Sequence, residues 1–296
     1  MSSQPNQHQE RRQVPLLAEL STTAVEALAT GTSSGGILTD GNLTSGDATS
    51  ASPAGSDVVV VQPIGAVEQH GPHLPVATDA ILAEHLARQA AAATDAAAWV
   101  LPTLHYGTSG EHLGWPGTFS LSIPTLIATC RDLARSVRAS GFTRLVLVNG
   151  HGGQLHILAA IARELRLEFG LQVMAIQPGM LGVPESVTVP DAEWGIHAGA
   201  LETSMMLHVA PHLVTMDAAA PGGGPAHEMY RNSPLLTIEN GVSPAWITDD
   251  VSPANGVVGD PTEATLELGQ VVVQHQITRL AAAFEEFSTF SFPSGR

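Results

Sequence analysis

Four runs of the sequence concentrate groups that could hold a metal ion or move a proton. The first is Glu68-Gln69-His70-Gly71-Pro72-His73, with Asp79 a little further on. Glu68 and His70 are two apart, so in an extended segment both side chains point to one side. Asp79 can fold back towards them across the Gly71-Pro72 turn. Two carboxylates and an imidazole suit borderline divalent ions such as zinc, manganese or iron. The same spacing also fits solvated acids and a helix cap, for which Asp79 is well placed.

The second run, Asn149-Gly150-His151-Gly152-Gly153, has glycines that permit tight turns and close approach to a ligand, and it opens onto a helix N-terminus able to stabilise an anion. The third, His197-Ala198-Gly199-Ala200-Leu201-Glu202-Thr203-Ser204, offers an imidazole and a carboxylate at another helix start. Glu202 by itself reads as a favourable first-turn acid. The fourth, residues 107–117, carries Ser109, Glu111, His112 and Trp115 and reads as a substrate-facing loop.

What must position these runs is an alternation of strand and helix. The stretch VVVVQPIG from Val58 is a continuous β-branched run that fits a strand covered on both faces. After it the pattern predicts a helix over 80–93, a strand over 99–104, a helix over 123–141, a strand over 144–148, a helix over 154–169 and a strand over 172–177. A helix over 202–209, a mostly looped Gly/Pro-rich region over 221–261 and a closing helix over 262–287 complete the series. Repeated βαβ units imply an α/β fold with a mainly parallel sheet, in which ligands sit beyond the carboxyl ends of strands. The first two runs stand at that edge.

Ahead of this lie a polar segment over 1–13, a short docked helix over 15–29, and a Gly/Ser/Thr-rich stretch over 30–57 expected to be mobile. The expected organisation is therefore a flexible segment over 1–57, one domain over 58–287 and a tail over 288–296.

Composition excludes several chemistries. All 12 basic residues are arginine, and the absence of lysine removes Schiff-base and P-loop chemistry. A formal charge of −16 argues against nucleic acid and anionic membrane surfaces as partners. The single cysteine, Cys130, cannot form an internal disulfide and falls in a helical pattern as a small core residue. With no apolar run near a membrane span and no signal-peptide core, cytoplasm is the expected compartment. No GxSxG elbow stands between an expected strand and helix and there is no GxGxxG loop, which leaves metal-assisted hydrolysis.

The blocks EQHGPHLPVATD, SGEHLGWPGTFSLS, VNGHGG, HAGALETSMML and NGVVGDPTEAT, in this order, resemble the creatininase (creatinine amidohydrolase) family. The resemblance implies a three-layer α/β/α sandwich, a homo-oligomer that is often a hexamer, and two divalent ions, zinc and/or manganese or iron. Matched by motif, Glu68 and His151 would hold one ion, His70 the other, and Asp79 would bridge both. A water or hydroxide between the ions would attack the amide, and His197 would pass a proton to the leaving nitrogen. Creatinine hydrolases have an aromatic and a glutamate directly after the loop histidine, where this chain has Gly152 and Gly153. Glu202 is the expected replacement ligand.

The GHGG form looks closer to the branch containing the mycofactocin precursor peptidase, whose members cleave a peptide bond near the C-terminus of a small precursor. The expected function is amide hydrolysis of a peptide or small-molecule substrate, with Ser109, Glu111, His112 and Trp115 as recognition residues. Creatinine hydrolysis, deformylation of a formamide, and a non-catalytic metal-binding subunit are the alternatives.

Overall fold

The computed structural model describes residues 14, 16–32, 38–39, 42–43, 57–233, 235–238 and 242–292. The segment over 1–13 and most of the stretch over 30–57 lie outside these residues, as do Pro15 and the last four positions of the tail. Within 30–57 the described residues include a small antiparallel pair, β1 (Leu38–Thr39) and β2 (Asn42–Leu43).

The main sheet has four strands, β3 (Val59–Ile64), β4 (Ala98–Val100), β5 (Arg144–Asn149) and β6 (Gln172–Ile176), in the order β4-β3-β5-β6. Every neighbouring pair is parallel, with Val59 opposite both Ala98 and Arg144, and Arg144 opposite Gln172. β3 and β5 are buried along their whole length, which is why they read as unbroken apolar runs. The strand expected over 99–104 is shorter. Pro102 has no N–H to give to the ladder, and beyond it the backbone pairs with β3 again at a bridge between Leu104 and Ile64.

Helices cover both faces, as the three-layer sandwich requires. One layer consists of α2 (Thr78–Ala93), α5 (Ala200–Val209) and α8 (Leu266–Thr289), packed on Val59, Val61, Val146 and Val148. The other consists of α1 (Thr22–Thr30), α3 (Ile123–Ala139) and α4 (Leu155–Phe169), packed on Val60, Ile64, Leu145 and Leu147. The alternation of odd and even strand residues between these sets is the period-two rule at work. Each wholly buried Leu or Ile contributes about 1.5–3 kcal/mol. Cys130 belongs to the second layer, and burial pushes its thiol up to about 12, so it is a packing residue.

The 221–261 region is mostly loop, with α6 (Gly224–Asn232) and the short α7 (Thr248–Val251) formed within it. The closing helix starts later and ends later than expected, since Asp260 caps a separate turn at Pro261–Glu263 and Thr265 then caps α8.

The sheet order reverses direction about β3, so the crevice beyond the ends of β3 and β5 is the ligand position of an open α/β sheet. Glycine terminates both strands there. A Cβ on Gly65 would lie 2.3 Å from the Ala80 Cα, and one on Gly150 would lie 2.4 Å from the Asp79 carbonyl oxygen. These two glycines let the first turn of α2 rest directly on the strand ends.

Candidate metal centre

Local backbone structure brings each run into the crevice. Glu68 leaves β3 with its N–H bonded to the Val76 carbonyl, 2.9 Å away, closing a loop that carries His70. Asp79 stands in the first turn of α2. The N-cap of that helix is Ala77, so Asp79 is free of the capping role its position suggested. Past β5, Asn149 clamps the histidine loop by accepting from the His151 N–H at 3.1 Å and donating to the His151 carbonyl at 2.8 Å.

His197 is held differently. Its backbone pairs with Val258 in an antiparallel bridge. The next residue, Ala198, has a φ of 53°, a left-handed conformation that costs a non-glycine residue about 1–3 kcal/mol. The buried Asp191 fixes the backbone just beyond it. Its Oδ2 accepts from the N–H groups of Ala200 at 2.9 Å and Asp260 at 2.8 Å, joining the start of α5 to the 257–260 loop.

The side chains converge on one buried cluster. Glu68 Oε1 lies 3.2 Å from His151 Nδ1, 3.3 Å from His112 Nε2 and 3.8 Å from His197 Nδ1. Asp79 spans the centre, with Oδ1 3.3 Å from His70 Nε2 and Oδ2 3.3 Å from His151 Nδ1. Glu202 Oε1 is 3.5 Å from His70 Nε2, while its Oε2 accepts from the Ala198 N–H at 2.7 Å. Glu111 Oε1 stands 3.0 Å from His151 Nε2.

The hydrogen-bond partners fix which nitrogen of each ring faces inward. His70 Nδ1 lies 3.1 Å from the Glu68 carbonyl, which can only accept, so Nδ1 carries a proton and Nε2 is the nitrogen that faces Asp79 and Glu202. His197 Nε2 lies 2.8 Å from the Gln69 carbonyl, so its Nδ1 is the nitrogen that faces Glu68.

Both oxygens of Glu68, His70 Nε2 and Asp79 Oδ2 are buried without a hydrogen bond. Leaving so many buried polar atoms unpaired would cost several kcal/mol. Two ligand atoms on a shared ion at about 2.0–2.2 Å each stand about 3.0–3.5 Å apart, the separation found here. Three sets, Glu68 with His112 and His197, His70 with His197 and Glu202, and Glu68 with His70 and Asp79, have donor atoms all within 4.8 Å of one another.

The electrostatics agree. Burial holds the Glu68 carboxyl above its ordinary value against the pull of His151. Burial also opposes ionisation of Asp79, yet the His70 and His151 imidazoles beside it hold its carboxyl well below the usual range. His70 and His151 are buried too, which would lower them, but Glu202 and Asp79 raise the one and Glu68, Asp79 and Glu111 raise the other well above ordinary values. Burial and the neighbouring His70 push His197 down to about 4, which keeps it neutral at physiological pH.

Eight of the anticipated residues therefore meet in the cluster: Glu68, His70, Asp79, His151, His197, Glu202, Glu111 and His112, the last stacked on His197 with ring centroids 4.4 Å apart. Ser109 is buried with its hydroxyl unpaired, and Trp115 stands outside the cluster, its indole N–H donating to Asp249 at 2.9 Å. Sequence reasoning missed Gln69, whose amide donates to the Gly256 carbonyl and lies within 3.1 Å of ring nitrogens of His112 and His197. It also missed Asp191 and Thr248, whose hydroxyl lies 2.7 Å from His112 Nδ1. Gln69 sits between two suspected ligands and could have been suspected. Asp191 lies in a turn and Thr248 at the start of α7, neither with a local signal.

Residues 41–284 match the family model described as creatininase, creatinine amidohydrolase. The chain is 36% identical over 230 residues to a mycofactocin precursor peptide peptidase of Mycolicibacterium smegmatis, covering 75% of this chain and 83% of that protein. It is 30% identical over 256 residues to the creatinine amidohydrolase of Pseudomonas putida, covering 79% and 91%. Two solved creatininase structures, one described with manganese and one mutant of Zn–Zn type, each match with a TM-score of 0.62 at 28% identity, covering 78% of this chain and 91% of theirs. The chain belongs to the creatininase family and is a hydrolase of amide bonds.

Proposed function

We propose that this protein hydrolyses a peptide bond in a mycofactocin-type precursor, using two divalent ions held in the buried cluster. The observation that carries the metal reading is the convergence of unpaired buried atoms from Glu68, His70 and Asp79, with His151 Nδ1 beside them, at separations suited to a shared ion. Charge supports a pair of ions, since Glu68, Asp79, Glu111 and Glu202 bring four carboxylates into one cluster and two divalent cations would neutralise them. Glu68 and His151 are assigned to one ion, His70 and Glu202 to the other, and Asp79 to both through its two oxygens. Zinc, manganese and iron all suit such donors. The ions would acidify a water and polarise the scissile carbonyl.

The remaining work falls to the chain. His197, neutral and with Nε2 fixed on the Gln69 carbonyl, is assigned the proton transfer to the leaving nitrogen through Nδ1. Ser109 and Trp115, with the outer part of the 107–117 loop, are assigned to substrate recognition. A peptide substrate is preferred to creatinine because the mycobacterial peptidase is the more similar of the two relatives. We take residues 58–287 as the catalytic domain and infer a cytoplasmic homo-oligomer. Leu113, Phe119 and Ile123 support the latter, leaving apolar side chains exposed next to the recognition loop.

The test is to load purified protein with zinc or manganese and incubate it separately with a mycofactocin precursor peptide and with creatinine, following products by mass spectrometry. A single peptide cleavage is expected. Turnover of creatinine with an intact peptide would reverse the preference, and loaded protein that turns over neither would favour a binding subunit.

A further inference from the structure

Beyond this assignment, though resting on its metal reading, we propose that Glu111 is a positioning residue: its carboxylate takes the Nε2 proton of His151 and so turns Nδ1 of that ring towards Glu68 and Asp79 as a metal ligand. Three observations carry it. The two ring nitrogens face different partners, Nδ1 standing 3.2 and 3.3 Å from Glu68 and Asp79 while Nε2 stands 3.0 Å from Glu111. A neutral imidazole can offer a lone pair on one nitrogen only if the other carries the proton, and metal-bound histidines give that proton to a carboxylate or a carbonyl. His70 meets this need with the Glu68 carbonyl. Glu111 is the acceptor brought to His151.

The second observation is the space that Glu111 uses. A Cβ added to Gly153 would lie 1.8 Å from Glu111 Oε1 and 2.6 Å from His151 Nε2. Any side chain at position 153 would therefore exclude the carboxylate from its place. Gly153 is needed here not for a left-handed turn but for the room it leaves.

The third is anchorage. The Glu111 carbonyl accepts from the Thr248 hydroxyl at 2.9 Å, and the same hydroxyl lies 2.7 Å from His112 Nδ1, so the loop is tied down on both sides of the carboxylate. Such tethering suits a residue that holds a ring in place better than one that must yield to a substrate.

The test compares the zinc affinity of wild type, Glu111→Ala and Glu111→Gln by competition with a chelator, and records the visible spectrum of each protein loaded with cobalt(II). Glu111→Ala should weaken metal binding on the order of 10–100-fold and change the cobalt spectrum. Glu111→Gln, whose amide oxygen still accepts the Nε2 proton and which keeps the shape, should retain most of the affinity. Unchanged affinity in Glu111→Ala with only a raised KM would overturn the proposal and return Glu111 to substrate recognition. A Glu111→Gln as weak as Glu111→Ala would overturn it too, making the carboxylate itself a ligand. Wild-type protein that binds no divalent metal would remove the metal reading, whereas failure of the variants alone removes only this inference.

Discussion

Asp191 offers the sharpest energetic prediction. Its carboxylate is buried and both of its backbone bonds end on one oxygen, Oδ2, at the start of α5 and at Asp260. Replacing it by alanine leaves the buried Ala200 N–H and the part-buried Asp260 N–H without an acceptor. A hydrogen bond to a charged group contributes about 1.5–3 kcal/mol, and a negative charge at a helix N-terminus adds about 0.3–1 kcal/mol. Asp191→Ala should thus cost about 4 kcal/mol. At about 2–4 °C per kcal/mol for a chain of this size, Tm should fall by roughly 8–16 °C. Asp191→Asn is the informative companion, because its single carbonyl oxygen can still accept both bonds and only the charge is lost. Since charge roughly doubles the strength of such bonds, it should lose about half as much.

The same change should reach the chemistry, because the Asp191 bonds hold the segment on which Ala198 is strained and His197 is aimed. A fall in kcat larger for alanine than for asparagine is expected. The assays are thermal and denaturant unfolding of both variants with steady-state kinetics on each. A loss below about 1 kcal/mol for Asp191→Ala would refute the reasoning, since it would mean that the two N–H groups find other acceptors at no net cost.

Asp79→Ala should abolish activity and cut the metal content seen by elemental mass spectrometry, and retention of two full equivalents would contradict its assignment to both ions. Trp115→Ala, which loses the bond to Asp249, should raise KM more than it lowers kcat, and a large kcat loss at constant KM would count against a recognition role. The carboxylates around His70 and His151 keep both rings protonated at neutral pH in the absence of a cation. Because the metal needs neutral rings, binding should release about two protons and tighten as pH rises towards the raised pKa values. Calorimetry in buffers of different ionisation enthalpy checks this, and uptake of metal without proton release would contradict it.

How much of this was legible in the sequence depends on range. β3 and β5 could be read because unbroken apolar runs, Val58–Val61 and Leu145–Val148, are what a strand buried on both faces requires, and the first ligands were suspected because they follow those strands. β4 was overextended because its apolar residues continue past Pro102, where the ladder cannot. α6 was missed because GPAHEMYRN lies among glycines and prolines that signal loop. Glu111 was expected to face a substrate, and no local pattern tells that its loop crosses over to Gly153. Likewise Asp191 sits in a stretch that reads as a turn, and its partners at Ala200 and Asp260 become neighbours only after folding.

The cluster draws its donors from positions between Glu68 and Glu202, on loops behind three different strands and at the start of two different helices. No short fragment of the chain holds more than two or three of them. An unfinished chain therefore offers weak and mismatched donor sets, and strong capture of cations waits until the sheet and both helical layers have closed. Loading is in this sense an inspection step. On the metal reading proposed above, misassembled copies would lack the complete donor set and would stay empty.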